Sequence, residues 1–260
     1  MKIALVGDCH GKLPRIPKAA DAVLCVGDVC SSRLRKYIFK AMQLQSKGIP
    51  VSWMDVAGKQ ARSLVHESIR DGERVLRSLS ACRKPVFIIP GNWDWTHKGG
   101  SIAHKTYREI IRSLKIRDVH MKKRDLGSFC VIGYGDHSGP EIPTSKKGIE
   151  LAKVYGEYEN LRRKYKKARI RLSKLFRDAR KPVIFLSHNV PFNTSLDIIS
   201  YKKSPRYGQH CGSVLARDLI KEFRPVAVVA GHMHGPVQSN RLFGVPVINT
   251  GYRKVSLLSL

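Results

Sequence analysis

An α/β fold is what this sequence predicts, and three observations predict it. Short β-branched runs close abruptly on Gly, Asp, Asn or His, helical patterns separate them, and 260 residues with 42% apolar content supply the core of a single domain. The runs are "KIALVGDCHG" (2–11), "AVLCVGDV" (22–29), "PVFIIPGNWD" (85–94), "FCVIGYGDHSG" (129–139), "PVIFLSHN" (182–189) and "VAVVAGHMHG" (226–235). Near-continuous hydrophobicity marks strands buried on both faces, and alternation with helices puts ligands beyond the strands' carboxyl ends.

The helical patterns follow in order at 31–46, 59–80, 101–114 and 212–223, the last with apolar residues at 214, 215, 219 and 223. The tail "VPVINTGYRKVSLLSL" reads as two closing strands around a turn. Residues 141–181 differ from their surroundings and read as an insertion within the one domain spanning 1–260. From Lys146 to Lys181 there are 14 Lys and Arg against 4 Asp and Glu. Leu151, Val154, Tyr158, Leu161, Tyr165, Ala168, Leu172 and Leu175 step by three and four, a heptad seam that predicts one helix over about 147–178, roughly 45 Å long. The seam fits packing against the protein's own 59–80 helix, a partner's helix, or a second copy in a homodimer. Its cationic circumference, with Arg162, Arg163, Lys164, Lys166, Lys167, Arg169 and Lys174, suits phosphate-backbone contact.

The formal net charge is +28, with a pI near 10.2, a balance that attracts polyanions. Nucleic acid, RNA foremost, or a ribonucleoprotein is the expected partner. Nothing at the N-terminus reads as a secretory signal and no run approaches a membrane span, so a cytoplasmic protein without membrane association is expected. The six cysteines show no CxxC spacing and read as reduced core residues.

Asp8 and His10, two apart, share one side of an extended chain, and His232 and His234 repeat that spacing. Asp28, Asn92 and His188 each follow an apolar run, giving seven oxygen or nitrogen donors at one sheet edge. Such donors without thiolate suit Mn²⁺, with iron, zinc or nickel as alternatives, and seven are too many for one ion with an open position. Two divalent ions sharing a carboxylate use all of them and suit in-line displacement at phosphorus.

The ordered blocks "GDCHG" (7–11), "GD" (27–28), "GNWD" (91–94), "SHN" (187–189), "GHMHG" (231–235) and "INTGY" (248–252) resemble those of the calcineurin-like metallophosphoesterases. The resemblance implies two mixed β-sheets face to face with flanking helices. It implies that Asp8, His10 and His234 hold one metal, that Asn92, His188 and His232 hold the other, and that Asp28 bridges them. Asn92, His188 and Asp94 become the catalytic candidates. At Trp93 the sequence departs from the family's usual GNHD, whose histidine protonates the leaving group or stabilises the transition state.

An indole donates a hydrogen bond but cannot act as a general acid. Trp93 therefore leaves three readings: an enzyme for good leaving groups or one with a substitute acid, a stacking platform for a base, or a slow site kept for structure. Substitute acids or substrate contacts are His137, His210 and His97, and Lys98, Lys202, Lys203, Arg206 and Tyr207 are expected to rim the edge. The resulting expectation is a phosphodiesterase or nuclease-like enzyme using a two-metal-activated hydroxide on or near nucleic acid. The rival is an RNA- or ribonucleoprotein-binding protein on the same scaffold with little or no catalysis.

Overall fold

The computed structural model describes all residues except 99–101, 203 and 205, so the Lys203 expectation and the start of the 101–114 helix lie outside the described residues. In chain order the elements are β1 (Lys2–Val6), β2 (Ala22–Cys25), α1 (Arg35–Gln45), α2 (Trp53–Ala57), α3 (Ala61–Ala81), β3 (Val86–Ile88), α4 (Tyr107–Arg112) and β4 (Arg117–Asp118). They continue as β5 (Lys123–Leu126), β6 (Phe129–Tyr134), α5 (Lys146–Val154), α6 (Tyr158–Arg177), β7 (Val183–Asn189), α7 (Val214–Phe223), β8 (Ala227–Gly231), β9 (Gln238–Leu242), β10 (Val245–Asn249) and β11 (Val255–Ser259).

Two mixed sheets result, ordered β11-β1-β2-β3-β4 and β5-β6-β7-β8-β10-β9. Parallel pairing runs from β1 to β4 and through β6, β7, β8 and β10, while β11, β5 and β9 are antiparallel edges. Ile3, Leu5, Leu24, Phe87 and Ile89 meet Val131, Ile184, Leu186 and Val229 between the sheets. Outside the first sheet lie α1, α3 and α4, and outside the second lie α6 and α7. Every apolar run is therefore covered on both faces, as its composition predicts. No described helix is long and apolar enough to cross a membrane. All six cysteines are free, and five are buried.

The basic stretch departs from the single helix expected. It is helical in two pieces, because Gly156 takes a φ of +67° and the Glu157 N–H bonds back to Ala152 at 2.8 Å. A left-handed glycine just past the last turn is a helix stop, and Gly156 falls between seam positions, where apolar spacing is blind to it. The seam beyond the break is used by the protein itself: Tyr165, Ala168, Leu172 and Leu175 pack on the second sheet with α7. Phe176 stacks on Phe223 at 4.9 Å, Tyr165 donates to Asp218, and Arg169 pairs with Glu222 at 3.2 Å. The packing partner is thus α7, not the 59–80 helix, which covers the opposite sheet. Because β6 and β7 are parallel neighbours, α6 must run back against them, and its N-terminal half lies nearest the carboxyl edge.

Candidate metal centre

The carboxyl ends of β1, β2, β3, β7 and β8 meet at one edge, each followed by a loop that begins almost at once. The expected alternation along an extended chain does not deliver the ligands. Strand β1 stops at Val6 and β8 at Gly231, and His10, Asp28 and His232 take φ values of 43°, 51° and 67°. Left-handed backbone at residues other than glycine costs on the order of 1–3 kcal/mol each, and it persists where surrounding contacts impose it. Those contacts are visible. Gly27, at φ +94°, and Gly91 meet so closely that a Cβ on Gly27 would lie 2.2 Å from the Gly91 nitrogen. Asp94 ties the same two loops: one oxygen accepts from Val29 and Cys30 at 2.9 and 3.0 Å, the other from Gly91 at 2.8 Å.

Two ligand clusters form, His10 with Asp28 and His234, and Asp28 with His188 and His232, the ligand atoms of each within 4.8 Å of one another. Asp28 Oδ1 accepts the Trp93 N–H at 2.8 Å. Its Oδ2 has no hydrogen bond and stands 3.5 Å from His10 Nε2 and 3.6 Å from His188 Nε2. Asp8 joins the first cluster, with Oδ2 accepting from the His232 N–H at 2.7 Å, lying 3.7 Å from His234 Nε2, and leaving Oδ1 unpaired. Asn92 joins the second, its Oδ1 2.9 Å from His188 Nε2. Because His188 Nδ1 faces the Val26 carbonyl at 2.7 Å, that nitrogen carries the proton and Nε2 presents a lone pair to the Asn92 oxygen.

These residues fit a divalent pair. His10 and His234 bring their Nε2 atoms to 3.0 Å, which is about the separation of adjacent imidazole ligands 2.1 Å from a common ion. Buried carboxylate oxygens without partners, facing imidazole lone pairs, are costly unless a cation joins them.

Burial sets the protonation states. It pushes His10 and His188 down to about 3 and His234 to about 4, and it holds His232 well below the ordinary imidazole value. Neighbouring cations act the same way: the Arg253 and Arg35 guanidiniums oppose a proton on His10 and His234, and Arg206 opposes one on His232. Burial raises the carboxyls of Asp8 and Asp28 well above their ordinary range and Asp94 to about 6.

A profile of the family described as "Calcineurin-like phosphoesterase" matches residues 1–236. The chain belongs to that family. It is a metal-dependent hydrolase of phosphate esters, and a binuclear divalent centre is the cofactor the family employs. TT1561 of Thermus thermophilus superposes with a TM-score of 0.57 at 18% identity, over 99% of this chain and 98% of that one. The Phosphopantetheinyl Hydrolase (PptH) from Mycobacterium tuberculosis does so with a TM-score of 0.54 at 15% identity, over 97% and 90%. These likenesses concern the fold. No curated relative matches the sequence.

Asp8, His10, Asp28, Asn92, His188, His232 and His234 are brought together. Asp94 is not among them, because both its oxygens are spent on backbone amides and it positions the loops instead. His137 stacks on Tyr134 at 4.2 Å and turns an edge to His188 at 6.2 Å, with both ring nitrogens unpaired. His210 is held 2.7 Å from the buried Asp197 and serves its own loop. Lys98 pairs with Glu109 at 3.4 Å.

Sequence reasoning missed Arg35, Tyr252 and Arg253. Tyr252 lies 5.5 and 4.6 Å from the His10 and His234 rings, and Arg253 donates to the His10 carbonyl at 3.1 Å. The signal available for the last two was the "GYRK" turn that overlaps the end of the last block, whose return beside β1 only the β1–β11 pairing reveals.

Proposed function

We propose that this phosphoesterase is a phosphodiesterase acting on nucleotide esters, RNA foremost, with Mn²⁺ as the working metal pair. The observation that carries the reading is the two ligand clusters joined through Asp28 with three guanidiniums, Arg35, Arg206 and Arg253, close enough to oppose protons on their imidazoles. Such a surround attracts a phosphate that keeps its negative charge throughout the reaction. Divalent ions held there lower the pKa of a water and neutralise charge developing on the phosphoryl oxygens. The chain's own groups do the rest. Asp28 is aimed by the Trp93 N–H, and Asn92 and His188 stand 2.9 Å apart beside it, where they would hold an ion of the pair. Trp93 offers no proton, so esters with alkyl leaving groups, RNA among them, turn over more slowly than they would with an acid at that position.

Turnover of bis-p-nitrophenyl phosphate and of p-nitrophenyl phosphate with Mn²⁺ tests this. Diester turnover at least about 10²-fold above an Asp28→Ala control is expected. Turnover no greater than the control, or a preference for the monoester, sinks it.

One observation favours a second reading, an RNA-binding role in which α6 is the contact. Lys164, Lys166 and Lys167 are exposed, and none forms an ion pair among the described residues, whereas Arg169 and Lys174 are held by Glu222 and Asp178. Changing those three lysines to Ala should weaken single-stranded RNA binding and reduce the salt slope by roughly 0.7 for each phosphate that is no longer neutralised. RNA binding that survives this change but fails in Asp28→Ala assigns RNA to the catalytic edge alone.

A further inference from the structure

The sequence contains three tryptophans, and all three line one cleft of about 330 Å³ that opens beside Asn92. Trp53 comes from α2, Trp93 and Trp95 from the loop after β3, and none of them is fully buried. Leu34 and Ile38, at the start of α1, complete the apolar lining. All three also pack against the core between the first sheet and its helices, and partial exposure is usual for so large a ring, so their convergence is what marks the cleft. Here they gather at the edge where the metal ligands end. Trp93 stands between the two regions, its ring 6.0 Å from that of His10 while its backbone N–H holds Asp28.

The cleft also has a polar wall. Asp136 lines it at a φ of +62°, its N–H bonded to the Pro90 carbonyl at 2.8 Å. Asp136 Oδ2 accepts the Thr96 hydroxyl at 3.0 Å, which fixes the carboxylate on the cleft's wall and leaves Oδ1 without a side-chain donor among the described residues. A slot walled by three indoles, lined also by Asn92, Thr96 and His97 and carrying the Asp136 carboxylate, suits a flat heterocycle with an exocyclic amino group on its edge. An alkyl chain would offer the Asp136 carboxylate no donor and the indole faces no flat ring to stack on.

We infer that the Trp53–Trp93–Trp95 cleft is a nucleobase subsite, which stacks the base of the ester held at the metal centre and reads its exocyclic amino group through Asp136. The inference rests on the phosphodiesterase reading and names the organic part of its substrate. Base–aromatic stacking is sequence-tolerant, so adenine, cytosine and guanine would all enter, and uracil, without an amino group, would bind most weakly.

Tryptophan emission, excited selectively over tyrosine, reports on this cleft alone, because the sequence has no tryptophan elsewhere. Titration of the intact protein with AMP, GMP, CMP and UMP, against ribose 5-phosphate and hexyl phosphate, requires no turnover. Quenching by the amino-bearing nucleotides with at least tenfold higher affinity than ribose 5-phosphate is expected. Calorimetry should show that affinity falling about 5- to 100-fold in Trp95→Ala and in Trp53→Leu, and Asp136→Asn should abolish the disadvantage of UMP. Equal affinity for ribose 5-phosphate, or tighter binding of hexyl phosphate than of any nucleotide, overturns the subsite, and the parent protein alone decides those outcomes if a variant fails to fold. Intact turnover of bis-p-nitrophenyl phosphate with no discrimination by base would remove the subsite and leave the phosphodiesterase standing. Absent turnover with base-dependent quenching would do the reverse.

Discussion

Asp94 carries more of the site than its distance from the ligand atoms suggests. Three backbone N–H groups converge on its two oxygens in a buried setting, so Asp94→Asn must turn an amide N–H₂ towards at least one of them. A loss of about 1–3 kcal/mol in urea unfolding is expected, together with a lower metal content, because the loops presenting Asp28 and Asn92 come apart. At Trp93, restoring an acid has the opposite aim. Trp93→His should raise turnover of diesters with alkyl leaving groups by up to about 10²-fold and leave activated aryl diesters nearly unchanged, since only the former need a proton. His137 offers a pH test. Burial lowers it to about 3 in the folded chain, below its unfolded value, so the stability tied to its neutral form is present above about pH 6.5 and is lost as pH falls towards 3. His137→Phe keeps the ring against Tyr134 and removes the titration. Chelator-treated protein should therefore show the variant gaining on the parent by at most about 1.4 kcal/mol per pH unit as pH drops from 6 to 4. A constant difference would mean that the ring is already accessible to protons.

Helix α6 is held by its second half. Phe176 stacks on Phe223, meets Phe185 edge-on at 5.4 Å, and sits in the cluster containing Leu172 and Leu215. Phe176→Ala should cost about 3–5 kcal/mol, read by chemical denaturation, because no neighbouring side chain can refill a space closed by two rings. Helix α5 is the contrast. Leu151, Val154 and Tyr155 are 47%, 80% and 74% exposed, so changing all three to Ser should move stability by no more than about 0.5 kcal/mol. A homodimer through this stretch would have those three and the exposed Ile170 to use, since the seam from Tyr165 to Leu175 is occupied by the protein's own sheet and α7. Periodicity exposed the seam of α6 but not its partner or its break, because spacing reports which face is apolar and says nothing of what covers it. The edge strands β5, "KRDL", and β9, "QSNRL", escaped for a related reason: paired on one side and largely solvated, they carry little hydrophobic signal.

At the scale of the whole molecule, two sheets and a metal centre stabilise each other, and chelation should show it. Metal bound only by the folded chain should raise the unfolding temperature and make it depend on metal concentration. Loading should also release protons, and from the carboxyls: His10, His188 and His234 are already neutral above about pH 4, whereas burial keeps protons on Asp8 and Asp28 above the ordinary carboxylate range. Apparent Mn²⁺ affinity should therefore rise with pH through that range, and calorimetry in two buffers of unlike ionisation heat would count the protons. By itself the sequence determined the α/β class, the order of the buried strands and the seven polar residues that follow them to one edge, because apolar runs and the polar residues that end them are local facts. Only the tertiary structure decided that Asp94 braces loops. It alone returned Arg253 to His10 across 243 positions and gathered three scattered tryptophans into one cleft. The physical reason is that those outcomes depend on left-handed loop residues and on the pairing of distant strands, neither of which leaves a period in the chain.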